Sequence, residues 1–504
     1  MISPRERDPR LQAFTGRTRR TESIPGVNQI HSETRRTKIV ATVGPASWDP
    51  SVLEQMIIAG VDVFRLNFSH GDEATHVRVI KDVRLISERL DMEVGILGDL
   101  PGPKLRVGEY PQGVVDIIHG STVTITPDDV PGTETLIPVD WPELAQALSV
   151  EDTVYLADGS IRLRVVANDG RTVECEVEVG GPLSSHKGMN LPGVEAGLDS
   201  VSEDDLRWVE FAVANQLDYI AVSFVRKAED LDPVLNKLKE LRSDIPIIAK
   251  IEKPQAADAV EEIVDRATGG IMVARGDLGI EVPLSKVPVL QKSLIGAAGR
   301  ASKTVITATQ MLASMVSAKR PTRAEVTDVA TAIYDGTDAI MLSEETAVGE
   351  FPVEAVRVMD QIARGTETDL PYWDWVLNRV PQDDQDVSDS VTQSAVIAAY
   401  RLNLQAIVVP TASGRTAKVV AAHRPQVPVL AVTHSVRTQR QLKLIFGVRP
   451  VVNDQTTEIR NLLYECADDA VRFGAAASGD LIAIVAGLSD MQLGTNLFEV
   501  HRVP

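Results

Sequence analysis

The chain has 504 residues, 44% apolar and 24% charged, an ordinary globular mix with room for about three domains. Its 71 acids against 51 Lys and Arg leave a formal net charge of −20, which disfavours a general phosphate-backbone binder, so no nucleic-acid partner is expected. Two cysteines, Cys175 and Cys466, exclude a disulfide framework or a cysteine-built zinc site, and no window approaches the roughly 18 apolar residues of a spanning helix, so no membrane partner and a cytoplasmic location are expected.

The first 36 residues carry eight Arg, no Lys and four acids. Glu6, Asp8, Glu22 and Glu33 count against a transit peptide, and residues 1–36 are expected to form a disordered tail. From Lys38 onward, short β-branched runs recur, most followed by helix-length amphipathic stretches. They are Lys38–Val43, Val61–Asn67, Val94–Leu100, Asp218–Phe224, Pro246–Ile251, Gly270–Ala274, Thr304–Ala308 and Asp338–Leu342. Eight such units predict a parallel (β/α)8 TIM barrel over residues 37–103 and 189–355.

Between the third and fourth runs the texture changes. Val114–Ile118, Thr122–Thr126, Thr153–Ala157, Ile161–Ala167 and Thr172–Val179 are short and mostly alternating, with Asp158-Gly159 and Asp169-Gly170 at hairpin positions. This predicts an all-β domain over residues 104–188, inserted at the catalytic rim of the barrel, where it would serve as a lid. Periodicity becomes irregular over Pro371–Ser388. An α/β block, residues 380–504, follows with strand candidates Ala406–Val409, Val427–Val432, Arg449–Val452, Leu481–Ala486 and Leu497–His501.

Polar residues gather where the barrel strands end: Arg65, Asn67 and Ser69, then Asp99, Ser223, Lys250 and Glu252, Arg275 and Asp277, and Thr309. In this fold the C-terminal ends of the strands carry catalysis. Glu252 and Asp277 form a carboxylate pair suited to Mg2+ or Mn2+, which prefer oxygen ligands. Lys250 lies two residues before Glu252, so on a strand both side chains face the same way. An ammonium beside a metal suits negative charge that develops in phosphoryl transfer or enolate formation. A buried Lys–Glu ion pair is the structural alternative. The glycines flanking Asp277, Gly276 and Gly279, would let an anion approach backbone N–H groups.

With these residues in place, the chain resembles the pyruvate kinase family. The resemblance rests on RRTKIVATVGPAS (35–47), VFRLNFSHG (63–71), KIE (250–252), IMVARGDLGIEVP (271–283), TATQMLASM (307–315) and PTRAEVTDVATAIYDGTDAIMLSEETAVGEFP (321–352). It implies a barrel, an inserted β-barrel domain and a C-terminal α/β domain. It also implies phosphoryl transfer from phosphoenolpyruvate to ADP as the last step of glycolysis, in a homotetramer. By motif, Glu252 and Asp277 would bind the divalent ion, Lys250 would stabilise the phosphoryl group, and Arg65 and Ser223 would line the substrate site. Gly276, Asp277 and Thr309 would seat the phosphoenolpyruvate carboxylate, with Thr309 near the proton path to the enolate. Arg106, Lys187 and His70 match nucleotide contacts, and Asp158 a residue that completes the closed site.

Two regions depart from, or leave open, the family pattern. Many members hold K+ at positions matching Asn67, Ser69, Asp99 and the residue after it, and read DTKGPEIR where this chain reads DLPGPKLR (99–106). Leu100 removes a hydroxyl and Lys104 replaces an anion with a cation, so K+ is expected to be unnecessary, as in the branch of the family that works without a monovalent ion. Glu344 adds a carboxylate where the family often has glycine. In the C-terminal block, Thr411, Ser413, Gly414, Arg415 and Thr416 resemble the phosphate loop of the family's effector site, which implies allosteric activation by a sugar phosphate or AMP. Ordinary helix capping is the alternative there. Two other classes stay open: a metal-dependent lyase or aldolase acting on pyruvate or its enolate, and a regulatory subunit with little catalysis.

Overall fold

The computed structural model describes residues 35–103, 105–157, 159–194, 199–379, 386–453, 462–487 and 494–504. Lys104, Asp158 and the Arg-rich segment through Thr34 lie outside the described residues. Arg35 and Arg36, read from sequence as the end of the tail, are instead fixed to the barrel. Arg35 pairs with Asp62 at 2.8 Å and Asp360 at 2.9 Å, and the Arg36 backbone N–H donates to Glu367 at 2.8 Å.

Eight parallel strands close the barrel: β1 (Lys38–Val43), β2 (Val63–Asn67), β3 (Gly95–Asp99), β12 (Tyr219–Val225), β13 (Ile247–Ile251), β14 (Gly270–Ala274), β15 (Val305–Ala308) and β16 (Ala339–Leu342). Each neighbour in this order pairs with the next, and β16 returns to β1. The β-branched runs bury both faces because one face fills the barrel and the other meets the helices. Val40, Val63, Leu97, Tyr219, Ile248 and Met272 belong to the inner cluster, which Leu444 of the C-terminal domain joins. Gly270, at φ +118°, begins β14 where any Cβ would collide with the Thr304 carbonyl.

Between β3 and β12 the chain builds the inserted all-β domain. Its larger sheet runs β11 (Met189–Asn190), β7 (Thr153–Leu156), β8 (Ile161–Asn168), β9 (Val173–Val179), β5 (Thr122–Thr126) and β6 (Leu136–Pro138). A second pair joins β4 (Val114–Ile117) to β10 (Gly181–Ser184). Alternation is clean, as in β8, where Ile161, Leu163 and Val165 are buried and Arg162 is exposed. Gly159 and Gly170 take the positive φ that the two hairpins need, at +85° and +89°. Its core contains Trp141, Leu163 and Cys175 and is separate from that of the barrel. On the return to the barrel, Ser202 and Asp205 cap the helix Glu203–Ala214 reciprocally, and Asp205 also accepts from the Gly102 N–H at 2.9 Å, tying the outgoing crossing to the incoming one.

The C-terminal sheet runs β19 (Val448–Val452), β18 (Val429–Thr433), β17 (Ile407–Pro410), β20 (Leu481–Ala486) and β21 (Leu497–Arg502), with only β21 antiparallel. The stretch that looked irregular in sequence contains the helix Tyr372–Asn378, and a second helix, Val387–Leu402, begins before that stretch ends. The C-terminal domain seals the bottom of the barrel. The Tyr219 hydroxyl donates to the Gln441 carbonyl, Lys38 Nζ donates to the Val448 carbonyl at 2.8 Å, and Arg424 pairs with Asp338 at 2.7 Å. Among the described residues, no helix is long and apolar enough to cross a membrane.

His423 is fully buried in the C-terminal domain, and among the described residues neither ring nitrogen has a hydrogen-bond partner. Burial pushes its pKa down to about 4. The folded ring therefore stays neutral while the unfolded one protonates near 6.5, so this contribution is complete above pH 6.5 and is lost as pH falls towards 4. From pH 7 to pH 4 the unfolding free energy should drop about 3 kcal/mol further in the wild type than in His423→Leu. Urea titrations at the two pH values check this; parallel losses in both proteins would contradict it.

Candidate active site

The site lies at the C-terminal ends of the barrel strands, and Asp99 occupies its centre. This carboxylate is 1% exposed and holds one cation on each oxygen. Arg65 Nε donates to Oδ2 at 2.6 Å, and Lys250 Nζ lies 3.1 Å from Oδ1. Burial alone would raise the Asp99 pKa, but Arg65 and Lys250 outweigh it and hold the group below the usual aspartate range. A second Arg65 nitrogen donates to Thr42 Oγ1 at 3.0 Å, which fixes the plane of the guanidinium.

Lys250 has two further acceptors, Ser223 Oγ at 2.7 Å and Glu252 Oε1 at 2.9 Å. Ser223 passes its own proton to the Leu100 carbonyl at 2.7 Å, so it presents a lone pair to the ammonium. Burial opposes the charge on Lys250, yet Asp99 and Glu252 keep its pKa above the ordinary lysine range. Lys250 and Glu252 thus face the same way, as their spacing predicts, and they do form the ion pair that was the structural alternative.

Glu252 is 1% exposed, and its other oxygen accepts from the Phe224 N–H at 2.7 Å. Its pKa is raised, first by burial and then by the charge of Asp277, with Lys250 opposing both. Two carboxylates that repel each other at the wall of a cleft are an arrangement a cation relieves. Their all-oxygen donor set fits Mg2+ or Mn2+ with substrate and water oxygens completing the shell. Among the described residues, no group of three or more His, Cys, Asp or Glu side chains gathers to cage a metal by itself.

Asp277 and Gly276 sit in the first turn of the helix Arg275–Glu281. The Gly276 N–H already donates to Thr309 Oγ1 at 2.7 Å, and that hydroxyl donates to the Ala308 carbonyl at 2.6 Å. Gly276 and Thr309, the residues expected to seat a carboxylate, are therefore hydrogen-bonded to each other. Thr309 and Gln310 both hold positive φ, at +71° and +54°, strain that needs support from outside the turn. Arg275 supplies it: its guanidinium donates to the Thr309 carbonyl at 2.8 Å and is anchored on Asp328 at 2.8 Å. Glu345 is a second support the sequence reading missed, accepting from the N–H groups of Ser343 at 2.7 Å and Leu312 at 3.0 Å. A buried carboxylate next to an exposed one, Glu344, carries no periodic signal that would have singled it out.

Arg65, Asn67, Asp99, Lys250, Glu252, Asp277 and Glu344 line two merging clefts of about 640 and 410 Å³. The first is also lined by Ser69, His70, Leu100 and Ser223 of the rim, and by Arg106, His186 and Lys187 of the inserted domain. Arg106 Nη1 donates to the His186 carbonyl at 3.1 Å, holding the two crossing strands together. The second cleft adds Gly276 and Thr309. Thr411, Ser413, Gly414, Arg415 and Thr416 are not among the residues lining these clefts. They lie at the start of the helix Arg415–Ala422, where Gly414 caps with φ +80° and its N–H donates to Thr411 Oγ1 at 3.0 Å. Thr416 and Thr495 hydroxyls meet at 2.9 Å.

A (β/α)8 barrel with fixed cations beside a carboxylate pair, faced by a second domain across one cleft, defines an enzyme built to neutralise developing negative charge. Residues 34–356 match the family model described as pyruvate kinase, barrel domain, and residues 389–501 match pyruvate kinase, alpha/beta domain. Among curated proteins the chain is 41% identical to the pyruvate kinase of Sporosarcina psychrophila and 42% to that of Geobacillus stearothermophilus, each over 473 residues, 93% of this chain and 80% of the relative. It is 39% identical to the pyruvate kinase of Thermococcus litoralis over 478 residues, 93% of this chain and 99% of that one. The chain belongs to the pyruvate kinase family and is a phosphotransferase.

Because Arg275 holds Thr309 through a planar fork that lysine lacks, Arg275→Lys should lower kcat/KM about 10- to 100-fold. Steady-state kinetics at saturating divalent ion check this; an unchanged value would show that the Thr309 turn holds its shape unaided.

Proposed function

We propose that the enzyme transfers the phosphoryl group of phosphoenolpyruvate to ADP, giving pyruvate and ATP. The observation that carries this reading is the Asp99 bridge, which places Arg65 and Lys250 beside Glu252 and Asp277 at one wall of the cleft. In the reaction the bond from phosphorus to the enol oxygen breaks, a bond to a β-phosphate oxygen of ADP forms, and the enolate carbon takes up a proton. Such a transfer needs positioning and charge neutralisation rather than a protein nucleophile. Arg65 binds phosphate oxygens with the N–H groups that Asp99 and Thr42 leave over. Lys250, kept protonated, stabilises charge on the phosphoryl group in flight. Glu252 and Asp277 would hold Mg2+ or Mn2+, which supplies further positive charge to the phosphate and enolate oxygens.

Gly276 and Thr309 receive the substrate carboxylate once their mutual hydrogen bond is exchanged for bonds to it, which leaves the Thr309 hydroxyl near the carbon to be protonated. Arg106, Lys187 and His70 face the nucleotide, and closure of the inserted domain excludes water that would compete with ADP. The assay is pyruvate formation from phosphoenolpyruvate and ADP with Mg2+. Turnover there, reduced at least about 1000-fold in Lys250→Met, supports the reading. Enolate proton exchange or carbon–carbon cleavage without phosphoryl transfer would move the assignment to a lyase.

The reading extends to regulation and ions. Leu100 and Lys104 in place of an oxygen donor and an anion support a catalytic cycle that needs no K+. Exchanging K+ for a bulky organic cation at constant ionic strength should change kcat/KM less than about tenfold; a larger loss would discard this part. The hydroxyls and Arg415 at the start of the helix Arg415–Ala422 support a phosphate-bearing effector, a sugar phosphate or AMP. Arg415→Ala should weaken activation by such compounds, and undiminished activation would remove the assignment. A cytoplasmic homotetramer is proposed on the family resemblance alone.

A further inference from the structure

Beside the catalytic clefts, where the inserted domain joins the barrel, lies a further cavity of about 370 Å³. Both crossings between the two domains line it, the outgoing one through Pro103 and Leu105 and the returning one through Asn190, Leu191 and Val194. The barrel supplies Phe224, Arg226 and Lys227 from the end of β12, Lys253 after β13, and Glu281 from the end of the helix Arg275–Glu281. Of the residues that line it, Phe224 alone also lines a catalytic cleft. Phe224 holds φ +53°, and its N–H donates to Glu252 at 2.7 Å, so this cavity backs onto the turn that fixes one of the paired carboxylates. Gly102 leaves no room for a Cβ against Ser223 and Phe224, which shows the outgoing crossing packed directly on that turn.

The lining side chains divide by chemistry. Leu105, Leu191, Val194 and Phe224 offer apolar surface, whereas Arg226, Lys227 and Lys253 face a single lining carboxylate, Glu281. Glu281 is 1% exposed at its side chain and takes one of the three Lys253 N–H groups. Asp230, behind the wall, accepts from two nitrogens of Arg226. Three cations against these two carboxylates leave one positive charge. Asn190 adds an unused polar group: the residue is 4% exposed, and its Oδ1 has no hydrogen-bond partner among the described residues. A buried amide left in that state is costly unless a further molecule completes its bonding.

We propose that this cavity binds a small aromatic monoanion of the fused-ring carboxylate class, and that its occupant restrains the inserted domain. The volume falls within the roughly 300–1,000 Å³ of pockets for small organic ligands. A flat ring suits the Phe224 ring and the aliphatic side chains around it, with its carboxylate on the Lys253 N–H groups that Glu281 leaves over. One residual positive charge matches one negative charge; a nucleoside diphosphate would bring more than this wall neutralises. A ligand that touches both crossings and the rim at once favours the one domain posture in which all three walls fit it. The binding claim stands apart from the reaction assigned above, whereas the claim of restraint rests on that assignment.

The test titrates naphthoate, and neutral naphthylmethanol as its uncharged counterpart, into the full chain by calorimetry. The wild type should bind naphthoate at least about tenfold more tightly than naphthylmethanol, and at least about tenfold more tightly than Val194→Trp, whose indole fills the cavity, binds naphthoate. Lys227→Glu, a change at an exposed position, should weaken naphthoate about threefold or more without disturbing packing. Equal affinity for the two probes overturns the anionic class, and undiminished naphthoate binding in both variants overturns the site. In the pyruvate-forming assay, saturating naphthoate should lower kcat of the wild type at least about threefold and that of Val194→Trp by less. A kcat unmoved by bound naphthoate overturns the restraint. Absence of turnover without naphthoate would count against the phosphoryl-transfer reading instead, and the titrations would still decide the site.

Discussion

One carboxylate organises the catalytic rim. Asp99 ends β3, only 1% exposed, and gives one oxygen to Arg65 of β2 and the other to Lys250 of β13. A lone buried carboxylate or a lone buried cation would be expensive, and the three charges are retained because Asp99 meets both cations at hydrogen-bond distance. The arrangement also fixes direction. Asp99, Ser223 and Glu252 take the three Lys250 donors, while Arg65 keeps donors beyond those that Asp99 and Thr42 take, beside the Glu252 and Asp277 carboxylates that suit a divalent ion. Positioning is thus achieved before any substrate arrives, which is the condition under which electrostatic stabilisation costs no reorganisation at the moment of reaction.

The supports behind this arrangement follow the same logic of paired charge and satisfied backbone. Ser223 relays from Lys250 to the Leu100 carbonyl, Arg275 braces the strained Thr309 turn, and Glu345 collects two backbone N–H groups. At the opposite end of the barrel, Asp338 takes up Arg424 and two backbone N–H groups in the same way.

Much of the fold was legible because its signals are local. All eight barrel strands announce themselves as β-branched runs, and the hairpins after β7 and β8 as Asp-Gly pairs. The strands that escaped, β6, β10 and β11, have two to four residues each, too short for alternation to register. The helix Tyr372–Asn378 was hidden in a stretch that read as irregular, and Arg35 and Arg36 looked like tail because their partners, Asp360 and Glu367, lie more than 300 residues away. At the site, period-two spacing was enough to place Lys250 and Glu252 on one face. The bridging position of Asp99 was not legible, because it depends on three strands converging in a closed barrel. Sequence reading placed Asp99 with the positions that match the family's monovalent-cation region and did not foresee that its oxygens also meet Arg65 and Lys250.

The most direct test of this account is a double-mutant cycle on phosphoryl transfer with Asp99→Asn, Lys250→Met and the pair. If Asp99 acts by holding Lys250 in place, Asp99→Asn lowers kcat by about 100-fold or more, and the double variant loses little beyond Lys250→Met alone. Fully multiplicative losses would show that the two residues act independently, and would contradict the claim that one carboxylate organises the rim.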